Sequence, residues 1–277
     1  MGLVRAVVRS FERGIAPIRL AEAWDNVGLL LDKESPKYRS NGATKVMLTI
    51  DLTSAVVEEA LANDTGVIVA YHPPIFSGLK SLTLSNPLQR SLLRCAAEGI
   101  SIFSPHTALD SVRGGVNDTL AASLGNLTES KLIGEEKEDG AGAGRIVTLS
   151  EPVSLKDLCE RVKAYCGLKH LQVGVPIESH TERLIRTIAI CAGSGGSLLQ
   201  GVSADAYLTG EMSHHEVLAA VAQGISVILC GHSNTERPYL PTLQKTLQQA
   251  LDDDDELAGE NYDVVISKSD ADPLTIV

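Results

Sequence analysis

Residues 96–103 read Ala-Ala-Glu-Gly-Ile-Ser-Ile-Phe, and the motif His106-Thr107-Ala108-Leu109-Asp110 follows them. A second stretch repeats this pattern: residues 221–228 read Val-Ala-Gln-Gly-Ile-Ser-Val-Ile, and His232-Ser233-Asn234-Thr235-Glu236 comes next. Each stretch predicts a helix that ends at Gly-Ile-Ser, then an apolar strand, then a histidine with a carboxylate one helical turn later. Such self-similarity indicates a duplicated structural unit.

Apolar runs of strand length alternate with helical segments in both halves, and this order predicts an α/β fold with mainly parallel sheets. The predicted strands span 45–51, 66–71 and 100–103 in the first half, and 187–191, 204–208 and 225–230 in the second. We expect two similar α/β domains, one formed by 1–125 plus 243–277 and the other by 126–242. The first takes in the end of the chain because a last predicted strand, 262–266, returns to pair with it.

The composition favours a folded, acidic protein. The chain has 277 residues, 44% of them apolar, and a net charge of −11. A sizeable core can be buried, whereas the absence of a basic stripe argues against direct binding of nucleic acid. The five cysteines form no Cys-x-x-Cys pair, which is typical of a reducing compartment. No apolar run reaches the roughly 18 residues that a membrane span needs.

The first residues leave two interpretations of localisation. Arg5, Arg9 and Arg13 are accompanied by a single acid, Glu12. This pattern is typical of the first amphipathic helix of a fold, and a weak mitochondrial presequence is the alternative. We find no secretory signal, and we therefore expect a cytoplasmic protein, with the mitochondrion as the second choice.

Imidazole and carboxylate groups collect at the ends of the predicted strands. In open α/β sheets ligands bind beyond the carboxyl ends of the strands. Both group types are ligands that divalent transition metals prefer. For His72, where Pro73 fixes the direction of the backbone, the alternative is a hydrogen-bonded histidine at a strand end. The residues at these ends are Asp51, His72, His106, Asp110, Glu211, His232 and Glu236.

Two further motifs keep alternatives open. The glycine-rich segment 193–197 follows a predicted strand and opens a helix, so it is either a site for a phosphate or a tight structural turn. Residues 213–216, Ser-His-His-Glu, look like a metal motif. Adjacent side chains on a helix point about 100° apart, however, so polar residues at a helix start are the simpler interpretation.

Five segments together resemble the Nif-three-like family (Ngg-one-interacting factor three), which is often labelled a GTP cyclohydrolase 1 type 2 homologue. These segments are 23–29, 71–76, 106–110, 208–211 and 231–237, and they include the motifs His-Pro-Pro and Gly-His-x-x-x-Glu. The resemblance implies a dinuclear metal site in the cleft between two α/β domains, and hexamers built as trimers of dimers. By motif it implies the ligands His72, Asp110, His232 and Glu236, with His106 as a catalytic acid or base.

One departure from the family pattern concerns the number of ions. Many bacterial members have His-His-Pro, whereas this chain has Tyr71-His72-Pro73, as eukaryotic members tend to. A tyrosine with a pKa of about 10 usually stays protonated, so the site holds either one ion or two. The mixed nitrogen and oxygen ligands suit zinc, iron, manganese or cobalt.

Two functions follow from this resemblance. The first is a dinuclear-metal hydrolase that acts on a phosphorylated or nucleotide-like small molecule. The alternative is a non-catalytic, metal-binding regulatory scaffold that binds protein partners, for which an acidic surface is suited. Neither function involves a membrane or direct contact with nucleic acid.

Overall fold

The computed structural model describes residues 2–32, 44–176, 183–258 and 260–277. The chain forms two compact units: unit 1 comprises Met1–Leu109 and Leu240–Val277, and unit 2 comprises Asp110–Tyr239. The predicted α/β class is confirmed. The predicted domain limits stay a prediction, and the chain passes from one compact unit to the other after Leu109 and again after Tyr239.

Unit 1 contains a five-stranded mixed sheet with helices, and all labels below follow chain order. Its strands are β1 (Gly28–Leu31), β2 (Lys45–Thr49), β3 (Thr65–Ala70), β4 (Ser101–Ser104) and β11 (Asp263–Ile266). Its helices are α1 (Leu3–Ser10), which continues into a π-helical turn Phe11–Ile15, α2 (Ser54–Ala62), α3 (Pro87–Glu98) and α9 (Leu240–Asp252). A short helix α4 (Thr107–Ser111) leads out of the unit.

The sheet of unit 1 has the order β1-β4-β3-β2-β11. The pairs β4–β3, β3–β2 and β2–β11 are parallel, and β1 is an antiparallel edge strand on β4. The predicted return of the last strand is confirmed, because Val264 lies opposite Val46. The carboxyl ends of β2, β3 and β4 therefore lie at one edge of the sheet.

The helices of unit 1 start where the sequence provides caps. The side chain of Thr53 accepts a hydrogen bond from the amide of Val56, and Asn86 accepts from the amides of Leu88 and Gln89. Such caps satisfy amides that have no partner inside the helix and contribute about 1 kcal/mol each. One apolar cluster joins β2, β3 and β4 to α2 and α3 and includes the buried residues Met47, Val56, Val57, Ile68, Leu92 and Ile102.

Unit 2 contains a six-stranded mixed sheet. Its strands are β5 (Leu127–Ile133), β6 (Gly144–Ser154), β7 (Gln172–Gly174), β8 (Leu184–Ser194), β9 (Ala206–Glu211) and β10 (Ser226–Leu229). Its helices are α5 (Val116–Ala122), α6 (Leu155–Cys166), α7 (Gly196–Leu199) and α8 (His214–Ala222). 3₁₀ turns occur at His232–Asn234 and Arg237–Tyr239.

The sheet of unit 2 has the order β5-β6-β8-β9-β10-β7. Only β8–β9 and β9–β10 are parallel, and the pairs β5–β6, β6–β8 and β10–β7 are antiparallel. The mainly parallel arrangement expected from the sequence therefore describes the sheet of unit 1, whereas unit 2 repeats it only in β8, β9 and β10. In both units three consecutive parallel strands end at one edge.

Both faces of the second sheet are covered by apolar side chains. Ile188, Ile190, Leu208 and Ile228 pack on one face with Leu158 and Val162 of α6. Ala189, Tyr207 and Val227 pack on the other face with Ala220 of α8. This coverage explains why the parallel strands lack an alternating polar pattern. Within the described residues, no helix has the length and apolar character needed to cross a membrane.

Candidate functional site

The first imidazole of unit 1 lies at the end of β3. His72 is the second residue after the strand, and its backbone N–H donates to the carbonyl of Ile50 at 3.0 Å. Its ring atom Nδ1 lies 3.0 Å from Oδ1 of Asp51, which follows the neighbouring parallel strand β2. Asp51 thereby fixes the orientation of the ring, an arrangement that is common among histidines that bind a metal through Nε2.

The second imidazole of unit 1 has the same kind of anchor. His106 Nδ1 lies 2.8 Å from Oδ1 of Asp25, whose side chain is fully buried. The other carboxylate oxygen of Asp25 accepts hydrogen bonds from the amide and the hydroxyl of Thr107. Burial alone would raise the pKa of Asp25, but the hydrogen bonds from His106 and Thr107 outweigh it, so the pKa lies below its usual value and Asp25 is an anion.

The backbone at His106 is strained. Its φ of +32° lies in the region that L side chains rarely adopt. Such a conformation costs of order 1–3 kcal/mol and persists only where the surroundings enforce it. Here the hydrogen bonds that Asp25 accepts from His106 and Thr107 provide that enforcement. The imidazole of His106 lies next to that of His72, and the two ring centroids are 5.4 Å apart.

Aromatic side chains surround these two histidines. The ring of the buried Tyr71 lies 5.1 Å from that of His72 and 5.7 Å from that of His106. Trp24 stands edge-on to His106 at 6.2 Å and contacts Phe76 at 6.0 Å. Trp24 and Phe76 are 61% and 56% exposed, so a planar ring can stack on them beside His106.

Unit 2 repeats the anchored imidazole at the end of β10. His232 opens a 3₁₀ turn, and its Nδ1 lies 2.9 Å from Oε1 of Glu211, the last residue of the neighbouring parallel strand β9. Its Nε2 lies 3.4 Å from Oε1 of the buried Glu236. The predicted histidine–acid pair one helical turn apart therefore exists for His232 and Glu236.

Asp110 and Glu236 lie near the same thiol. Burial, together with the negative charges of Asp110 and Glu236, raises the pKa of Cys191 to about 12. The backbone carbonyl of Asp110 accepts a hydrogen bond from Asn117, which in turn accepts one from the amide of Ala192. Of the predicted ligands in unit 2, His232 and Glu236 therefore lie side by side, and Asp110 lies near Cys191, as Glu236 does.

Two motifs that the sequence left open turn out to be structural. In the glycine-rich segment the amide of Gly193 donates to Thr235 and that of Gly195 donates to Thr209, which is the tight-turn alternative. Ser213 and Glu216 form a reciprocal capping box at the start of α8, where His214 and His215 are exposed. Neither motif contributes a ligand to the sites described above.

The sequence identified the histidines but not their partners. Asp25 lies in the segment Trp24-Asp25-Asn26. This segment is part of the family resemblance, but the sequence assigned no function to Asp25. Asp51 and Glu211 were recognised as strand ends, and the neighbouring parallel strands bring each of them to a histidine. Both pairs have the same sequence separation of 21 residues, a periodicity that could have indicated them.

The fold and these side chains define a class of protein: a duplicated α/β chain whose strand ends carry carboxylate-anchored imidazoles suited to a metal ion. The chain belongs to the family Duf34/NIF3 (NGG1p interacting factor 3), whose model matches residues 3–273. The resemblance inferred from the sequence is thereby confirmed.

Relatives match over nearly the full length. The chain is 48% identical over 266 residues to "Protein NIF3 homolog" of Schizosaccharomyces pombe, covering 93% of this chain and 92% of the relative. It is 38% identical to "NGG1-interacting factor 3" of Saccharomyces cerevisiae, covering 99% and 96%. The fold matches a Bacillus cereus protein related to NIF3 with a TM-score of 0.83 at 21% identity, covering 99% and 98% of the two chains.

Proposed function

We propose that this protein binds a divalent metal ion through His72, Asp110, His232 and Glu236. The observation that carries the proposal is the repeated anchoring of imidazole Nδ1 by a carboxylate at a strand end, seen for His72 and His232. His72, His232 and Glu236 each offer one ligand atom of a kind that holds a metal. Two imidazoles and two carboxylates suit zinc, iron, manganese or cobalt.

The number of ions depends on Tyr71. A second histidine at this position would give a second ion a further nitrogen ligand. Tyr71 occupies this position instead, and its buried side chain offers no imidazole nitrogen. We propose one tightly bound ion, with any second ion bound more weakly.

The proposed activity is metal-dependent hydrolysis of a phosphorylated or nucleotide-like small molecule, of which opening of a purine ring is one version. A bound divalent ion supplies Lewis acidity and lowers the pKa of water. His106 transfers the proton at Nε2, because Asp25 holds Nδ1 and fixes the tautomer. Trp24 and Phe76 accept the flat ring of the substrate by stacking.

Strain at His106 supports this role. A core histidine with no function gains nothing from a positive φ, whereas a proton-transfer group must be held in one direction. The side chain of Asp25 is fully buried and anionic, and its hydrogen bond with Nδ1 holds the ring of His106 in one direction.

The scaffold alternative rests on a different observation. The segment that follows His72 exposes Phe76, Leu79, Leu82 and Leu84, each at 40% or more. Exposed apolar side chains close together in sequence are typical of surfaces that bind other proteins. The yeast relative is named for an interaction with NGG1, which supports a protein partner for this chain too.

Assembly and localisation are also proposals. The family resemblance supports a hexamer built as a trimer of dimers, and light scattering coupled to size exclusion would measure the mass of the assembly. A single 29.4 kDa species would overturn the hexamer. We propose a cytoplasmic location, with the mitochondrion as the alternative, and fractionation of cells would separate the two.

Metal analysis tests the proposal directly. Protein purified without chelator should contain close to one equivalent of a transition metal per chain, measured by elemental analysis. His232→Ala should lose that metal, whereas His215→Ala, which removes an exposed histidine in the same unit, should retain it. Equal metal content in the two variants would overturn the ligand assignment.

Turnover separates the two functions. The metal-loaded protein and the His106→Ala variant are assayed against nucleotides and generic phosphoesters. Hydrolysis that falls by a factor of about 10² or more in the variant, with metal content unchanged, supports the enzyme. Absence of turnover in the metal-loaded protein, together with an unchanged assembly, supports the scaffold.

A further inference from the structure

Asn117 of α5 is a fully buried polar side chain that joins three segments of the backbone of unit 2. Its Nδ2 donates to the carbonyl of Asp110 at 3.1 Å and to the carbonyl of Ala143 at 2.9 Å. Its Oδ1 accepts from the amide of Ala192 at 2.9 Å. Both N–H donors and the carbonyl oxygen of this amide group are therefore used inside the protein.

The segment that follows Asp110 is held in the same way by a buried cation. Arg145 donates to the carbonyls of residues 111 and 112 at 3.4 and 3.3 Å. Two further hydrogen bonds, of 2.5 and 3.0 Å, join its guanidinium to the carboxylate of Asp118. Three successive carbonyls thus accept from Asn117 or Arg145. These bonds fix the backbone that carries the carboxylate of Asp110 without using that carboxylate.

The other end of the Asn117 side chain reaches the end of β8. Ala192, which donates to Asn117, is followed by Gly193. A Cβ on Gly193 would lie 2.7 Å from Oε1 of Glu236 and 3.1 Å from Nε2 of His232. This glycine therefore borders directly on two of the proposed ligands. The side chain of Asn117 spans the distance from the backbone of a third proposed ligand to the residue next to that glycine.

We propose that Asn117 is a positioning residue of the metal site, whose amide group fixes the backbone of Asp110 against the end of β8 before an ion binds. The inference rests on the proposed function, because it takes Asp110 as a ligand. A ligand that is already held in place loses less conformational freedom when the metal binds. Outer partners that orient metal ligands typically contribute about 10–100-fold to the affinity for the metal.

An asparagine suits this position because it carries two donors and one acceptor in a single plane. Alanine would leave the carbonyls of Asp110 and Ala143 and the amide of Ala192 without these partners. Loss of buried hydrogen bonds lowers stability whatever the function of the residue. A purely structural role therefore predicts lower stability with unchanged metal affinity, whereas a positioning role predicts that both fall.

Titration of the metal-free full chain with Co²⁺, in competition with a coloured chelator, tests the proposal. We expect Asn117→Ala to bind Co²⁺ about 10–100-fold more weakly than the wild type. The visible absorption spectrum of its bound Co²⁺ should also change, because the spectrum reports the coordination geometry. Leu158→Ala is the control: it opens a cavity in the apolar cluster of unit 2 and lowers stability, but it should keep the affinity and the spectrum of the wild type. Urea unfolding of both variants compares their loss of stability.

A double-mutant cycle shows whether Asn117 acts through Asp110. Asp110→Asn removes the charge of the proposed ligand and keeps the backbone carbonyl that accepts from Asn117. We expect the variant with both substitutions to lose no more affinity for Co²⁺ than Asp110→Asn alone, because the group that Asn117 positions has then already lost its function. Losses that multiply in the double variant would overturn the proposal.

The same titrations separate failure of the inference from failure of the proposed function. Wild-type affinity in Asp110→Asn would overturn the assignment of this ligand, and the inference with it. Weaker binding by Asp110→Asn, together with wild-type affinity in Asn117→Ala, would overturn the inference alone. Equal losses of affinity in Asn117→Ala and Leu158→Ala would also overturn it. Asn117→Ser, whose single hydroxyl cannot replace all three hydrogen bonds, gives the same test if Asn117→Ala fails to fold.

Discussion

At the scale of single residues, the three anchored histidines share one arrangement. His72, His106 and His232 each have Nδ1 within 3.0 Å of a carboxylate oxygen. A carboxylate in this position fixes the tautomer and orients the ring. Histidines that lie at strand ends without a function would form hydrogen bonds with different kinds of neighbouring group. The same geometry at three histidines therefore indicates a functional requirement.

Replacement of the anchor of His106 tests its structural contribution. Asp25→Asn keeps the size of the side chain but removes the charge that pairs with His106 and Thr107. We expect the free energy of unfolding in urea to fall by about 1–3 kcal/mol, because a buried amide cannot accept all of these hydrogen bonds. Asp64→Asn, at an exposed turn, should change it by less than about 0.5 kcal/mol. Equal effects would show that Asp25 does not hold His106.

The hydrogen bonds that Glu59 accepts predict that the free energy of unfolding depends on pH. Its carboxylate accepts hydrogen bonds from Ser267 and from the amides of Lys268 and Ser269. Burial opposes ionisation, but these bonds dominate and lower the pKa to about 2. The pKa of Glu59 is lower in the folded state than in the unfolded state, where it is about 4.3. The ionised carboxylate therefore stabilises the fold fully above about pH 4.3, and this stabilisation is lost as the pH falls toward the pKa of the folded state.

Comparison with Glu59→Gln isolates this contribution. The variant should be less stable than the wild type at pH 7, as measured by thermal or urea unfolding. The difference should shrink as the pH falls from about 5 to about 3, because protonation then removes the same charge from the wild type. A difference that stays constant over this range would contradict the assignment.

The sequence revealed the histidines of the site, but not the groups that orient them. The sequence predicts which residues lie at strand ends, because apolar runs mark the strands and the next residues along the chain then follow from them. The partner of a side chain depends on which strands become neighbours, as for Asp51 and His72. For His106 the partner comes from an irregular segment around Asp25, where no periodicity predicts position.

At the scale of elements, the buried parallel strands were predictable and the peripheral antiparallel strands were not. β3 and β9 are buried along nearly their whole length because both faces of their sheets are covered, and their central residues are apolar. β5 is an edge strand, and residues 128–131 of it are exposed and polar, so hydrophobicity gives no signal there. β5, β6 and β7 pair antiparallel and make the second sheet mixed, which is why the expectation of mainly parallel sheets describes unit 1 better than unit 2.

Substitution of Gly210, near the end of β9, tests how tightly the backbone around His232 is packed. A Cβ on Gly210 would lie 2.5 Å from the carbonyl oxygen of Gly193 and 2.7 Å from Cα of His232, and backbone atoms cannot move aside cheaply. We expect Gly210→Ala to lower the free energy of unfolding by about 1–3 kcal/mol. Gly78→Ala has open space around it and is the control. A neutral Gly210→Ala would mean that the turn carrying His232 adapts easily.

At the scale of the whole molecule, the two units differ in how the chain builds them. Unit 2 is one continuous segment, Asp110–Tyr239, whereas unit 1 needs both ends of the chain. The pairing of β11 with β2 supplies an edge strand to unit 1 from the last residues. The sequence indicated this return because an apolar run follows the acidic stretch 252–256, but the exact limits of the units depend on contacts that no local pattern encodes.

Because unit 2 is one continuous segment of the chain, we predict that it folds without the rest of the protein. It contains its own six-stranded sheet and two apolar clusters, which together cover both faces of that sheet. Domains of this size with a complete core are usually stable on their own. A fragment of residues 110–239 should therefore show a single cooperative transition in urea, followed by circular dichroism. Ile188→Asp in the same fragment should abolish the transition, because it buries a charge in the core. A gradual, non-cooperative loss of signal in the unmodified fragment would show that unit 2 depends on unit 1 for its stability.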